Sequence, residues 1–391
     1  MKRTFSLSTA LVVASSALVA ATYGLVRLAW GLHLPDMQDE LRFDAGAAGA
    51  ISSAASIAYC VGALAGFLLA SRRARTLVLL AGATGAFGSI GMALAASTSA
   101  LAPAAVLASA AAGLASPALV RIVQRGMRSS AVDRAQAVVN AGTGPGLVAA
   151  GLLALLLVPQ WRLAWWAAAA VSVAAAAAVL LLDRPDAGGA EDVTGPHRAN
   201  GALPPRDWFR SHRLVIAAAL LAGAASAAVW NAGRALLADA GTAPQASVLA
   251  WVALGAGGLA VVPTAQLMSA LAPRRAWSLS AAALTLSTLA LVATPAWTPG
   301  SLAACFAFGW GYTAATGALI AWTAGVDRDR AASGTALLFV LLVLGQAIGA
   351  AAVGATVGAL GYAAAFTAAA VIGATAAALG LVARVGPAVS G

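Results

Sequence analysis

Two arginines lie inside long apolar runs of this sequence, where a charged side chain is unusual. Each has an aromatic residue four positions earlier, Tyr23 before Arg27 and Trp230 before Arg234. On a helix this spacing puts both side chains on one face, where a cation–π contact could hold the guanidinium group. Two guanidinium groups that converge on one site would bind a carboxylate or a phosphate in a bidentate manner.

The two arginines also have less specific interpretations. Each would cost about 2.5–3.5 kcal/mol near the centre of a bilayer, so a role or a partner is expected for both. They could be structural or gating residues. They could also extend to the outer headgroups or pair with Asp36 and Asp239, because each lies in the outer half of its run. The sequence favours anion binding and leaves these alternatives open.

Other candidate ligands are buried amides, and aromatic residues with polar tips at plausible cavity depth. Asn231, Tyr59, Trp310 and Tyr312 could contact a substrate, and Gln346 is a weaker candidate of the same kind. Hydrogen bonding between helices is the commoner role of such residues.

Catalytic motifs are missing from the sequence. There is no Gly-x-x-x-x-Gly-Lys-Ser/Thr pattern and no hydrolase constellation, and the two cysteines lie singly in apolar runs. The sequence therefore predicts no enzyme, no metal site and no cofactor. No Asp or Glu falls inside any run as we draw it, which disfavours a proton-coupled exporter of cations.

The amino-acid composition indicates the class of protein in which these candidate residues are placed. Of the 391 residues 61% are hydrophobic and 9% are charged, against about 25% charged residues in ordinary soluble domains. The mean hydropathy is +0.88. Such a chain could not cover a water-facing surface with polar groups, so lipid must be its solvent. In a soluble protein, the net charge of +10 would suggest nucleic-acid binding. Here the basic residues are distributed as expected for the loops on the inner side of a membrane protein.

Apolar runs long enough to cross the hydrocarbon layer, about 20 residues each, recur along the whole chain. They lie near residues 8–34, 45–70, 76–96, 101–124, 135–158, 163–182, 214–238, 245–271, 276–294, 299–323, 331–355 and 359–383. The one long polar stretch, 183–213, reads as a cytoplasmic linker. It separates a predicted N-terminal six-helix bundle (1–182) from a C-terminal one (214–391).

The basic residues predict the orientation. With the N-terminus inside, all but four of the 23 Lys and Arg residues fall on the inner side. The exceptions are Arg42 and Arg162 outside, and Arg27 and Arg234 within runs. The first outer loop is acidic instead and contains Asp36, Asp39, Glu40 and Asp44. We therefore expect a multi-pass protein of a bacterial cytoplasmic membrane with both termini cytoplasmic.

The two sets of six runs repeat each other. Three short segments of the first set reappear in the same order in the second set, which indicates a duplicated six-helix unit. The matched segments are Tyr23–Arg27 with Trp230–Arg234, Arg72–Arg75 with Arg274–Arg275, and Asp133–Arg134 with Asp327–Arg328.

With twelve runs, an internal repeat and a central linker, the chain resembles the major facilitator superfamily over its whole length. The family's loop after span two, roughly Gly-x-Leu-x-Asp-Arg-x-Gly-Arg-Arg, is similar to the segment that here keeps Gly66, Arg72, Arg73 and Arg75. Ala70 stands where the family has the Asp, so the conformational latch assigned to that Asp lacks its carboxylate here.

The resemblance extends to other motifs. Gly144 and Pro145 belong to a Gly-Pro-Gly core that is typical of antiporters in this family, and Gly24 to Gly62 is similar to a poorly characterised bacterial branch of permeases. The resemblance implies two pseudo-symmetric six-helix bundles, with spans one and seven lining a central site. The residues expected to serve conformational change are Gly66, Arg72, Arg73, Arg75, Gly144, Pro145, Asp133, Arg134, Asp327 and Arg328.

The resemblance also implies a function, namely secondary transport of a small solute by alternating access. Organic-anion antiporters of the superfamily use paired basic residues, so an organic anion is favoured as the substrate. One alternative is a multidrug or metabolite efflux permease with a mainly apolar cavity, in which the arginines are structural. Another is a membrane sensor or scaffold that transports nothing. The expected partners are a small-molecule substrate and the lipid bilayer, without nucleic acid, and the protein is expected to be a monomer.

Overall fold

The computed structural model describes residues 7–158, 160–184 and 205–382; most of the predicted linker lies outside this range. The described residues form helices and no strand. In lipid, backbone N–H and C=O groups must be satisfied within the segment, and a helix of Ala, Leu, Val and Gly does this. Short turns join the helices. At one of them, the Asp44 side chain caps the helix that begins at Ala45, by accepting a hydrogen bond from the N–H of Ala47 at 2.7 Å.

The N-terminal bundle contains seven α-helices and one π-helical segment. They are α1 (Leu7–Val19), the π segment (Ala20–Leu28), α2 (Ala29–Leu41), α3 (Ala45–Leu94), α4 (Thr98–Gly126), α5 (Ser129–Ala141), α6 (Thr143–Leu157) and α7 (Trp161–Leu182). The first three run continuously as one span, Leu7–Leu41. Wide π turns are rare and often mark functional sites, and this one carries Tyr23 and Arg27.

The C-terminal bundle follows a short helix in which Trp208 is buried and Phe209 is exposed. The helices are α8 (Arg206–Ser211), α9 (Arg213–Asp239), α10 (Pro244–Leu259), α11 (Val261–Ser269), α12 (Pro273–Ala293), α13 (Thr298–Val326) and α14 (Ala331–Leu379).

Within the described ranges, nine helices are long and apolar enough to cross a membrane, or ten if bent α10 and α11 form one span. Helices α3 and α14 have 50 and 49 residues, which is about 75 Å each and more than twice a hydrocarbon layer of about 30 Å. Each is broken, at Arg73 (φ −133°) in α3 and at Gly361 (φ 83°) in α14. Only glycine adopts the second conformation without strain. Two spans from each helix agree with the predicted twelve, and the predicted all-α membrane fold is confirmed.

We number the spans in chain order. Span 1 is Leu7–Leu41, spans 2 and 3 are the parts of α3 before and after Arg73, and span 4 is α4. Span 5 is α5 with α6, span 6 is α7, span 7 is α9, and span 8 is α10 with α11. Spans 9 and 10 are α12 and α13, and spans 11 and 12 are the parts of α14 before and after Gly361. We call the membrane face where span 1 begins the N-terminal face and the opposite one the far face.

Buried apolar side chains form two cores within single bundles, one large core shared by both bundles, and a small shared cluster around Tyr59. One core, from Leu11 to Val179, lies in the N-terminal bundle, and another, from Val215 to Ala376, lies in the C-terminal bundle. Both are near the N-terminal face. The shared core joins side chains of both bundles from the middle of the membrane to the far face, such as Trp30 and Trp230. The bundles therefore pack together at the far face and separate towards the N-terminal face.

Spans 2 and 11 approach each other closely at the far face. A Cβ atom on Gly49 would lie 2.5 Å from the carbonyl oxygen of Ala350 and 2.8 Å from the Cα of Gly354. Small residues permit such close helix packing in membranes. This contact closes the far face between the bundles.

Candidate functional site

Arg27 is half-buried in the π segment of span 1, near the middle of the membrane. Its Nη2 donates a hydrogen bond to Oε1 of Gln346 on span 11, at 2.7 Å, which links the two bundles. Its guanidinium carbon lies 4.6 Å from the ring centroid of Tyr59 on span 2. Among the described side chains, no carboxylate lies within 4.0 Å of it. Arg27 is thus an intramembrane cation whose contacts are an amide and an aromatic ring.

Gln346 is held on its other side by the C-terminal bundle. The residue is 3% exposed. Nε2 donates to the hydroxyl of Tyr312 on span 10 at 3.0 Å and to Oγ of Ser226 on span 7 at 3.4 Å. These bonds fix the amide plane and direct the amide oxygen towards Arg27.

Two tyrosines of the N-terminal bundle complete the surroundings of Arg27. The hydroxyls of Tyr23 and Tyr59 are 2.9 Å apart, and the rings meet edge to face. Tyr59 is buried together with Ala112 and Val343, so it stands where spans 2 and 11 meet. The ring that faces Arg27 is consequently fixed by its own hydroxyl bond and by apolar packing.

An aromatic cluster of the C-terminal bundle lies behind Tyr312. Trp230 meets Tyr312, Phe308 and Trp251 edge to face, with ring centroids 5.2, 5.6 and 5.9 Å apart. Such edge-to-face pairs are favourable geometries for aromatic rings. The indole N–H of Trp230 is buried and has no acceptor in the part of the chain that is described. The cluster forms a rigid, largely apolar wall.

Arg234 on span 7, which is matched with Arg27 in the predicted repeat, lies nearer the far face and has a different environment. It is 3% exposed and forms an ion pair with Asp36 of span 1. Its guanidinium group also donates to the backbone oxygen of Leu32 and, through Nε at 3.1 Å, to Oγ of Ser247. Arg234 therefore carries its own counterion and fastens the two bundles near the far face.

The Arg234 contact follows from the length of span 1, which differs from the prediction. The helix continues past Pro35 to Leu41, seven residues beyond the predicted end at 34. Asp36, expected in an outer loop, lies on this helix, so the expectation that no acidic residue falls within a span is wrong. Pro35 does not end the helix because a bilayer protein can satisfy the freed backbone groups through neighbouring helices.

The structure brings some of the predicted substrate ligands together and separates others. Tyr23, Tyr59 and Tyr312 surround Arg27 and its partner Gln346, and Trp230 stands behind Tyr312. The guanidinium of Arg27 stacks on Tyr59 and not on Tyr23, the aromatic four residues earlier in its own helix. Tyr23 uses its hydroxyl on Tyr59 instead.

Trp310 and Asn231 lie apart from this group. The indole of Trp310 donates to Oγ1 of Thr264 on span 8 at 2.9 Å. Trp310 is two positions from Tyr312, about 200° around the helix, so the two side chains point to opposite sides. Asn231 donates to the backbone oxygen of Ala227 and lines a small cavity nearer the far face.

Of the predicted gating residues, Arg75 makes the strongest contact. It donates to Oδ2 of Asp183 at 3.0 Å and to the Asp183 backbone oxygen at 2.8 Å, and Arg125 pairs with the same carboxylate. The Asp183 side chain is 1% exposed. The pairs connect spans 3, 4 and 6 at the N-terminal face. Sequence reasoning missed Asp183 because it follows an apolar run directly and was assigned to the linker.

The remaining predicted gating residues have few such contacts. Arg72, Arg73, Arg134 and Arg328 are exposed, and Asp327 pairs with Arg330 at 3.4 Å. The side chain of Asp133 lies outside the described part of the structure.

The predicted conformational residues Gly66, Gly144 and Pro145 have different surroundings. A Cβ on Gly66 would meet Pro117 of span 4 at 2.9 Å, within one bundle. A Cβ on Gly144 would meet Leu259 of span 8 at 2.9 Å, so span 5 contacts the other bundle there. Pro145 is exposed.

Comparison with known proteins gives a family and a fold. The sequence profile of the Major Facilitator Superfamily matches residues 7–325. The nucleoside transporter NupG has a similar structure, with a TM-score of 0.76 and 16% identity over 96% of this chain and 98% of that chain. A bacterial homologue of the human lysosomal transporter Spinster, inward-facing and unoccupied, gives a TM-score of 0.74 and 14% identity over 96% and 97%.

A D-xylose–proton symporter is also similar, with a TM-score of 0.73 and 12% identity over 96% of this chain and 97% of that chain. At such identities these likenesses establish the fold alone. Comparison with curated protein sequences gave no match.

Proposed function

Because the chain belongs to the Major Facilitator Superfamily, we propose that it is a secondary transporter of a small organic anion, with Arg27 as the anion-binding group. The observation that carries this proposal is the lack of any carboxylate beside Arg27 among the described side chains. A charge inside a membrane protein is costly without a partner. A substrate carboxylate would supply that partner through the bidentate geometry that guanidinium groups favour.

The charge of the site favours a monovalent anion. Arg234, expected as the second half of an anion clamp, is already neutralised by Asp36. One free guanidinium then matches one carboxylate, and a second negative charge would remain without a counterion. The site residues we propose are therefore Arg27 with Tyr23, Tyr59 and Tyr312.

The walls favour a substrate with an apolar or aromatic body. Tyr59 covers one face of Arg27, and Trp230 and Phe308 stand behind Tyr312. Binding sites for small molecules combine such aromatic surfaces with a few polar groups that orient the ligand. An aromatic or branched monocarboxylate fits this description best.

Alternating access follows from the two ways in which the bundles meet. In this conformation the far face is closed by the Asp36–Arg234 pair and by the Gly49–Gly354 contact, whereas the bundle cores separate towards the N-terminal face. By the distribution of arginines, the N-terminal face is the cytoplasmic one in this proposal. Opening to the outside would require the Asp36–Arg234 pair to separate, and we assign it the role of outer gate.

The proposal also includes the oligomeric state, the membrane and the domain arrangement of the transporter. It would function as a monomer in a bacterial cytoplasmic membrane, with two bundles (1–182 and 214–391) joined by a cytoplasmic linker (183–213). The residues that would move against each other during the cycle include Gly144 of span 5, which contacts Leu259 across the bundle interface.

Thermal unfolding of the purified protein tests the anion site. Benzoate should raise the unfolding temperature of the wild type, whereas benzamide, which has the same shape without the charge, should not. Arg27→Gln should abolish the benzoate effect, and the exposed Arg210→Gln should keep it. Flux of labelled benzoate into vesicles that contain the same three proteins should follow this order.

Two outcomes would contradict the anion site. One is an equal response to benzoate and benzamide, which would favour the efflux permease with an apolar cavity. The other is normal benzoate flux through Arg27→Gln.

A further inference from the structure

Gln346 occupies the position beside Arg27 that a substrate carboxylate needs. Its Oε1 accepts from Nη2 of Arg27 at 2.7 Å, and the two residues belong to opposite bundles. The Gln346 side chain is held in this orientation, because the residue is buried and its Nε2 donates hydrogen bonds to Tyr312 and Ser226. The C-terminal bundle therefore presents one neutral oxygen to the cation of the N-terminal bundle.

The chemistry of this contact makes it replaceable. Both partners of a guanidinium–carboxylate bond are charged, and such bonds are shorter and stronger than a bond to a neutral amide. A carboxylate can also accept two N–H groups of the fork, whereas the amide oxygen here accepts one. A substrate anion would therefore displace Oε1 of Gln346, and an uncharged analogue would gain little by doing so.

The neighbouring contacts between the same spans are weak by comparison. Sγ of Cys60 on span 2 lies 3.5 Å from the backbone oxygen of Val340 on span 11, and Val343 packs against Tyr59. Thiols are weak hydrogen-bond donors, and the second contact is apolar. The bond between Arg27 and Gln346 is consequently the strong polar link between the bundles at this depth of the described structure.

We propose that Gln346 is a built-in substitute for the substrate anion, which the substrate displaces from Arg27 when it binds. This inference rests on the proposed function of Arg27 as the anion-binding group. Displacement has two effects. It selects for negative charge, because a ligand must bind the guanidinium better than an amide does. It also removes a link between the bundles, so that occupation of the site favours their relative movement.

Two substitutions with opposite expected effects test the proposal. Gln346→Glu puts a tethered carboxylate beside Arg27, so the protein without ligand should melt at a higher temperature than the wild type, and benzoate should no longer bind. Gln346→Met keeps the volume and removes the competing oxygen, so the apparent Kd for benzoate should fall at least threefold. A merely structural role of Gln346 would weaken binding in both variants.

The double variant Arg27→Gln/Gln346→Glu is the matched control. Without the guanidinium the new carboxylate has no partner, so the gain in unfolding temperature of Gln346→Glu should vanish. Binding of benzoate to each protein is measured by the ligand-dependent thermal shift and by isothermal titration.

The failures can be told apart. If the wild type binds benzoate and Gln346→Glu binds it equally well, or if Gln346→Met leaves the Kd unchanged, the substitute role of Gln346 is refuted while the anion site stands. If the wild type responds to no carboxylate, both proposals are refuted together.

Discussion

Arg27 and Arg234 are matched in the repeat proposed from the sequence, yet the structure gives the two arginines different depths and opposite surroundings. Arg234 is enclosed by a carboxylate, a backbone carbonyl and a hydroxyl, and its side chain is 3% exposed. Arg27 is half-buried and has an amide and an aromatic ring. The Arg27–Gln346 bond and the Arg234–Asp36 pair both cross between the bundles. One acidic residue, Asp36, thus distinguishes an arginine that holds the bundles together from the arginine that we propose as the ligand site.

The difference shows why an intramembrane charge does not by itself identify a binding site. A cation with a built-in counterion stabilises the conformation that holds the pair. A cation without one is left to bind whatever anion enters. Substitutions at the two arginines separate these two roles.

The largest effect on stability is expected from Arg234→Gln. Removing one partner of a largely buried ion pair leaves the other charge uncompensated and costs about 3–5 kcal/mol. A lower unfolding temperature that is partly restored when Asp36→Asn is added would support the proposal that the Arg234–Asp36 pair holds the two bundles together. If Arg234→Gln is as stable as the wild type, or if the second change lowers stability further, the role assigned to the pair is wrong.

Arg27→Gln should have the opposite profile, with a smaller loss of stability than Arg234→Gln and a large loss of binding. A lost hydrogen bond to a charged group costs about 1.5–3 kcal/mol, which corresponds to a roughly 10- to 150-fold higher Kd for benzoate. Titration calorimetry on the variant and on Arg210→Gln measures this loss. A Kd within twofold of the wild type would remove the distinction between the two arginines.

Gly49→Ala asks whether the closed far face keeps Arg27 accessible from the N-terminal face. The added methyl group would collide with span 11, and overpacking of this kind costs about 1–3 kcal/mol in the closed conformation. The population should therefore shift towards opening at the far face. Distances between spin labels on spans 2 and 11 report the shift. Gly358→Ala, which meets no atom within 4 Å, is the control and should leave the distances unchanged.

The smallest effect on the arrangement of the bundles is expected from Asp183→Asn, because its ion pairs lie within one bundle. The loss of charge next to Arg75 and Arg125 should lower the unfolding temperature by an amount equivalent to about 1–3 kcal/mol. Spin-label distances between the bundles should not change. For comparison, Asp327→Asn breaks an exposed pair and should cost less than about 1 kcal/mol. A shift of the distances in Asp183→Asn would show that pairs within a bundle also set the conformation.

Much of the fold could be read from the sequence, because the length and hydropathy of each run follow from bilayer thickness. The membership of the superfamily, which the repeat and the loop motif predicted, is confirmed by the profile match over residues 7–325. The end of span 1 was missed at Pro35, since a proline reads as a helix end unless neighbouring helices are known.

The candidate site could be predicted only in part. The depth of Arg27, Tyr59 and Tyr312 was visible in the apolar runs, and their type suggested contact with a ligand. The partner of Arg27, however, is 319 positions away in the sequence, and nothing local to either residue specifies that contact. The difference between Arg27 and Arg234 likewise depends on which helices cross at the far face.

The contact between spans 2 and 11 has a consequence for the speed of the cycle. It is made from Gly49, Ala350 and Gly354, whose side chains have no rotamers. When this contact breaks and forms again, these three residues lose or gain no side-chain rotamer entropy, and no long side chains have to interdigitate. The contact between spans 2 and 11 should therefore add little to the energy barrier between the two conformations. The rate of their exchange should depend mainly on the Arg27–Gln346 bond and the Asp36–Arg234 pair.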